Sequence, residues 1–147
     1  MPTAAKLVAA ILFGALAFLV SELVRPLFPE GTNLGRFALY NAAIGAVIGW
    51  GMAGARARTT WSNAVAYGLT AAASMVLCGL VIYGILKMVR QSTRRVYEGP
   101  MEAMIDVVRI MVEDASKYLA QPDILLALAV GGVVGGLITE WVGRNYP

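Results

Sequence analysis

The chain has 147 residues, 59% of them hydrophobic and 14% charged, with a formal net charge of +3. Soluble domains typically carry about 25% charged residues, so this deficit, with a mean hydropathy of +0.68, points to a single integral membrane domain over residues 1–147. The basic residues sit at the ends of apolar runs with no aromatic-interleaved stripe, which argues against nucleic acid as a partner. Histidine is absent and cysteine occurs once, which argues against a structural zinc site and removes the commonest general base.

The first apolar segment covers about residues 7–24 and stops at Arg25-Pro26. Lys6 followed by the run from Leu7, with Ala15-Leu16-Ala17, resembles a signal peptide and its cleavage signature. The run continues to Val24, and cleavage after Ala17 would leave a very short apolar region, so an uncleaved helix is expected. A connector rich in proline and glycine follows, from Pro26 to Arg36. The second segment, about 37–55, carries no charge. Arg56-Ala57-Arg58 forms a tight turn into the third, so these two segments should make a helical hairpin, with Trp50 and Trp61 flanking the turn as interfacial aromatics.

The third segment lies in a charge-free run from Thr59 to Leu86, about 42 Å long as a helix, against a hydrocarbon core of about 30 Å. Its span is taken as about 61–86. It ends in a basic cluster that includes Lys87, Arg90, Arg94 and Arg95. The excess length should be absorbed by tilt or by projection past the hydrocarbon. Cys78, in mid-run, is expected to be a small packing residue, since reactive thiolates need an electropositive, partly wet site.

Gly99-Pro100 opens an amphipathic helix over about 100–120. Met101, Met104, Ile105, Val108, Met111, Val112, Ala115 and Leu119 recur at helical spacing, opposite Glu102, Asp106, Arg109, Glu113 and Lys117. Its polar face is mostly acidic, unlike the basic faces of most membrane-surface helices. The expectation is that its apolar face packs on the bundle or on a second copy, with the methionines as adaptable packing groups and not soft-metal ligands. The fourth membrane segment covers about 124–142, with Asp123 as its expected N-cap. The fold class is therefore all-α: a four-helix membrane bundle with one additional amphipathic helix between the third and fourth spans.

Lys/Arg counts orient the chain. Lys6, Arg56, Arg58 and Arg144 fall on one side, while the connectors carrying Arg25, Arg36, Lys87, Arg90, Arg94 and Arg95 fall on the other. The richer side is expected in the cytoplasm, with both termini periplasmic and the lipid bilayer as the first partner.

Small residues recur at spacing four, at Gly45 and Gly49, and in the overlapping patterns of Gly131, Gly132, Gly135 and Gly136. Such stripes allow close backbone approach, either between copies as a homo-oligomer seam or inside one chain. Glu22 and Glu140 are the acidic residues within the four segments. Each lies near a helix end with an arginine close by, Arg25 and Arg144, and is expected to be an interfacial carboxylate neutralised by it. The ends of spans one and four fall on opposite faces of the bundle, so the two cannot form one catalytic or di-metal pair. Asn41 is the most deeply placed amide and could hydrogen-bond across helices. No Walker loop, dinucleotide fingerprint or nucleophile elbow is present, so the expectation is no enzyme, no catalytic residue, no metal and no cofactor.

The stretches Pro2-Thr3-Ala4-Ala5-Lys6-Leu7, Ser21-Glu22-Leu23 to Pro26, Pro29-Glu30-Gly31-Thr32, Asn41 with Gly45 and Gly49-Trp50, Arg94-Arg95-Val96-Tyr97-Glu98-Gly99-Pro100, and Thr139-Glu140-Trp141 run in order along nearly the whole chain. In this serial arrangement the sequence resembles the TrgA family, small bacterial membrane proteins associated with tellurite resistance. The resemblance implies a role in tolerance of a metalloid oxyanion at the bacterial inner membrane, and supplies no catalytic residue. An oxyanion ligand would need arginines, and Arg25, Arg36, Arg94 and Arg95 are the candidates on one face. The rival reading is a non-catalytic membrane scaffold or interaction subunit that affects resistance indirectly, since ion-translocating proteins usually carry carboxylates within the membrane.

Overall fold

A computed structural model describes residues 3–31, 34–94 and 97–146. The described chain is all-α. Helix α1 spans Ala4–Val24, α2 Phe37–Ile48, α3 Trp61–Ser92, α4 Pro100–Leu119 and α5 Pro122–Asn145. Four helical segments are long and apolar enough to cross a membrane, those built on α1, α2, α3 and α5.

Thr3 caps α1, its hydroxyl accepting from the Lys6 N–H, and Thr60 caps α3 by accepting from the Asn63 N–H. These caps satisfy amide donors that a helix start leaves orphaned. Asp123 is not the cap of α5. Gln121 occupies that position, Pro122 follows at the first turn, and Asp123 lies inside it, where its charge suits the positive end of the helix dipole. The second segment also departs from expectation. α2 stops at Ile48, and a π-helical turn, Gly49–Ala53, and a 3-10 turn, Gly54–Arg56, carry the chain to the bend. The bend itself requires a left-handed residue, and Arg58 adopts φ 73° there.

The bundle is antiparallel throughout. α2 packs chiefly on α1, α3 chiefly on α5, and α1 on α5, with a lighter contact between α2 and α3 closing the ring. The hairpin partners in sequence are therefore not each other's main packing partners. One end of the bundle gathers the start of α1, the α2–α3 turn and the end of α5, where Ala5, Ala57 and Arg58 surround Gly143. The other end, called here the connector end, gathers Val24, Phe28, Tyr83, Tyr118 and Ile124. Both groupings match the sides inferred from the charged boundaries.

Lipid supplies no hydrophobic drive between helices, so association depends on close van der Waals packing. The glycine stripes provide it inside the chain. A Cβ at Gly68 would lie 2.0 Å from the Gly132 carbonyl oxygen, and one at Gly136 would lie 2.3 Å from that of Ala64. Gly131 receives Leu16 and Gly135 faces the Phe13 ring, while Gly45 and Gly49 press against the α1 backbone at Phe13 and Ala9. The Gly131–Gly136 stripe thus packs within the chain, against α1 and α3.

The excess length of α3 is real. At 32 residues it would extend about 48 Å, and its last turns project beyond the connector end. α4 packs on that projection, with Val107 and Met111 against Gly84. Its seat corrects the expectation for its apolar face. The packed edge is Val107, Ile110, Met111, Asp114 and Tyr118, whereas Met101, Met104, Ile105, Val108 and Val112 all point outward. The pattern has three faces, and the strongest apolar one is uncovered.

Candidate functional site

The two ends of the bundle hold different polar arrangements. At the turn end, Glu140 is 1% exposed. Its carboxylate accepts from the backbone N–H groups of Arg58 and Thr59, at 2.8 and 3.0 Å, and from Arg144 Nε at 2.8 Å. The Arg144 guanidinium lies over the Trp61 ring, 4.8 Å from its centroid. Glu140 is therefore a clamp that fastens the left-handed bend before α3 to the last turns of α5. The sequence treats Glu22 as its counterpart, but Glu22 is half-buried and among the described residues pairs with Arg25 alone, at 3.1 Å one turn away.

Near the connector end, Asn41 on α2 donates through Nδ2 to Ser21 Oγ on α1 at 3.0 Å, and Ser21 in turn donates to the Ala17 carbonyl. This is the cross-helix amide bond expected of Asn41. Beside it lies a cavity of about 100 Å³ walled mainly by apolar side chains, including Ala17, Val20, Met75, Val76 and Leu128, with Gly79 opposite Asn41. Towards the bundle end four rings close over it. Phe28 meets Phe37, Tyr83 and Tyr118 at centroid distances of 5.5, 5.7 and 5.3 Å, mostly edge-on, the geometry that aromatic quadrupoles favour.

Asp114 of α4 reaches this cavity. It is 7% exposed, and its nearest cation is Lys87 Nζ at 4.0 Å. Among the described residues no hydrogen bond holds its carboxylate, and none engages the hydroxyls of Tyr83 or Tyr118. Burial holds the Asp114 carboxyl above the usual 3.8, with Lys87 and Lys117 pulling it back. Burial, and then the nearby Asp114 charge, pushes the Tyr118 hydroxyl up to about 12, so it is a neutral hydrogen-bond donor at physiological pH. At the α3–α4 connection the Tyr97 hydroxyl donates to the Asp106 carboxylate, which pushes Tyr97 up to about 12.

No anion site is assembled by contacts among the described arginines proposed for an oxyanion. Arg25 is engaged by Glu22, Arg36 stands exposed before α2, and Arg94 stands exposed just past α3. Arg95 lies outside the described residues. No group of three or more Asp, Glu or Cys among the described residues is placed to hold a metal ion.

The sequence reading missed Asp114, Tyr83 and Tyr118. A signal was available for Asp114. It lies off the acidic stripe, one turn from Ile110 and one from Tyr118, so a charge stood on an otherwise packed helix edge. Compared with known families, curated proteins and solved structures, the chain matches none.

Proposed function

We propose that this chain is a multi-pass protein of the bacterial inner membrane that supports tolerance of tellurite as a non-catalytic scaffold, without conducting the oxyanion. The tellurite part rests on the serial resemblance to the TrgA family. The non-conducting part rests on one observation: α3 and α5 meet backbone to backbone along Gly68, Gly132 and Gly136. That seam leaves no room between the two helices for a hydrated anion. Of the arginines that would attract an oxyanion, Arg25 is engaged by Glu22, and Arg36 and Arg94 are exposed at the surface. In this reading the uncovered stripe of α4 rests on the bilayer. Lys87, Arg90 and Arg94 at the same end suit anionic headgroups. That end faces the cytoplasm and both termini the periplasm.

Two measurements test this. Deleting the gene should lower tellurite tolerance, and unchanged tolerance would remove the tellurite assignment. Vesicles containing only this protein should take up no more tellurite than empty ones, and accumulation above that level would overturn the non-conducting reading. For orientation, Ala57→Cys and Thr93→Cys in a Cys78→Ser background should label from outside at 57 and not at 93. The reverse pattern inverts the topology.

A further inference from the structure

The cavity beneath α4 has a chemistry that the scaffold reading does not use. Its polar groups are acceptors and neutral hydroxyls: the Asp114 carboxylate, the Asn41 amide and the phenols of Tyr83 and Tyr118. Its remaining wall is aliphatic or aromatic. Ring faces carry the negative lobe of the quadrupole and attract cations, and quaternary ammonium groups are the familiar ligands of such aromatic walls. An anion would meet a buried carboxylate and π density instead, so the cavity is ill suited to tellurite.

Asp114 gives the second, independent indication. Its side chain is only 10% exposed and, among the described residues, accepts no hydrogen bond, so its oxygens, which keep contact with solvent, have acceptor capacity to spare. Here it has a lysine at 4.0 Å, at the limit of an ion pair, and that lysine side chain is 41% exposed. Size narrows the ligand further. A cavity of about 150 Å³ holds benzene, so about 100 Å³ takes a group about two-thirds that size. A methylammonium or dimethylammonium ion is of that order, whereas tetramethylammonium is at least as large as benzene.

From these observations we propose that the cavity beneath α4 binds a small organic ammonium group, with Asp114 as counter-ion and the rings of Phe28, Phe37, Tyr83 and Tyr118 in its wall. Lys87 is then a competitor for the carboxylate and not part of the ligand's site. The proposal is independent of the tellurite assignment.

The test is equilibrium dialysis of radiolabelled dimethylammonium against the purified full chain in a non-ionic detergent, with neutral ethanol as the uncharged comparison of similar size. Saturable binding at one site per chain is expected, with ethanol a weak competitor. Asp114→Asn should weaken binding about tenfold or more. Lys87→Gln, at a half-exposed position that the fold tolerates, should tighten it several-fold. Gly79→Leu should block it by filling the cavity, since a Cβ there meets only Asn41 Oδ1 at an ordinary 3.5 Å. The proposal is overturned if the native chain shows no saturable binding, if ethanol competes equally, or if Lys87→Gln weakens binding. Because that last arm leaves Asp114 in place, a folding failure of Asp114→Asn does not decide the matter.

Discussion

Replacing Glu140 should destabilise the bundle far more than replacing Glu22, although the two stand in similar sequence settings. Glu140 accepts two backbone N–H groups from the bend before α3, and hydrogen bonds to a charged group contribute about 1.5–3 kcal/mol each. Its contact with Arg144 adds less than about 1 kcal/mol, because the arginine side chain is 43% exposed and water screens the pair. Glu140→Ala should therefore cost about 3–5 kcal/mol. Glu140→Gln should cost about half of that, because its one carbonyl oxygen can still accept while its NH2 meets donors. Glu22→Ala should cost less than about 0.5 kcal/mol, as expected for an exposed pair one turn apart. Reversible unfolding in mixed micelles, titrated with SDS, provides the measurement. Far-UV circular dichroism follows the whole bundle, and Trp61 fluorescence, read in a Trp50→Phe, Trp141→Phe background, reports locally, since that ring lies under the Arg144 guanidinium. If Glu140→Ala and Glu22→Ala unfold within about 0.5 kcal/mol of each other, Glu140 is not a clamp and the account of the turn end fails.

Three further outcomes follow from the same geometry. Gly68→Ala should lower the unfolding midpoint sharply, because its Cβ would fall 2.0 Å from a backbone oxygen, whereas Gly51→Ala, with nothing within 4 Å, should be neutral; equal midpoints would refute the seam. Asp114 has its folded pKa raised by burial, so ionisation disfavours the fold. Stability should fall as pH climbs from the ordinary value of 3.8 through the raised one, and Asp114→Asn should flatten that slope in thermal melts in micelles; a native slope of the opposite sign would refute it. A polarity-sensitive fluorophore at Met104→Cys, in a Cys78→Ser background, should be blue-shifted in liposomes and quenched by nitroxide-labelled lipids. Emission typical of water would show that the α4 stripe is not on the bilayer, and self-quenching that rises with protein density would assign it to a second copy.

The legible parts of this fold were those written as length and periodicity. Charged boundaries located the four helices long and apolar enough to cross a membrane, and the basic run after Leu86 begins in the last turns of α3. What periodicity could not supply was which face meets which neighbour. The apolar stripe of α4 is regular enough to suggest that it is the packed face, yet α4 is held by an adjoining edge, because Gly84 on α3 offers a shallow place for Val107 and Met111. The same limit hid the cavity. Phe28, Phe37, Tyr83 and Tyr118 come from the first connector, α2, α3 and α4, so no window of sequence contains their cluster. Glu22 and Glu140 differ for an equally non-local reason. Each has an arginine nearby in sequence, but only Glu140 has a bend from another part of the chain folded against it.

The two ends of the bundle are consequently built to different tolerances. At the turn end, glycine faces glycine across α3 and α5, and a buried carboxylate ties down the loop. Along that seam even one added Cβ would strike the facing backbone. At the connector end the helices are held apart by rings, a methionine and a cavity, and α4 lies over them through contacts of side chain on side chain. Rings and thioethers can shift their rotamers where backbone cannot interpenetrate. Any ligand-linked rearrangement should therefore be confined to α4, the projecting turns of α3 and the first connector, with the glycine seam as the fixed base. The long third helix is what joins the two regimes. Its first half is locked into the seam, and its last turns carry Tyr83, Gly84 and Lys87 to the adaptable end. Occupancy of the cavity would thus move the outward stripe of α4 relative to the membrane while leaving the spans in place.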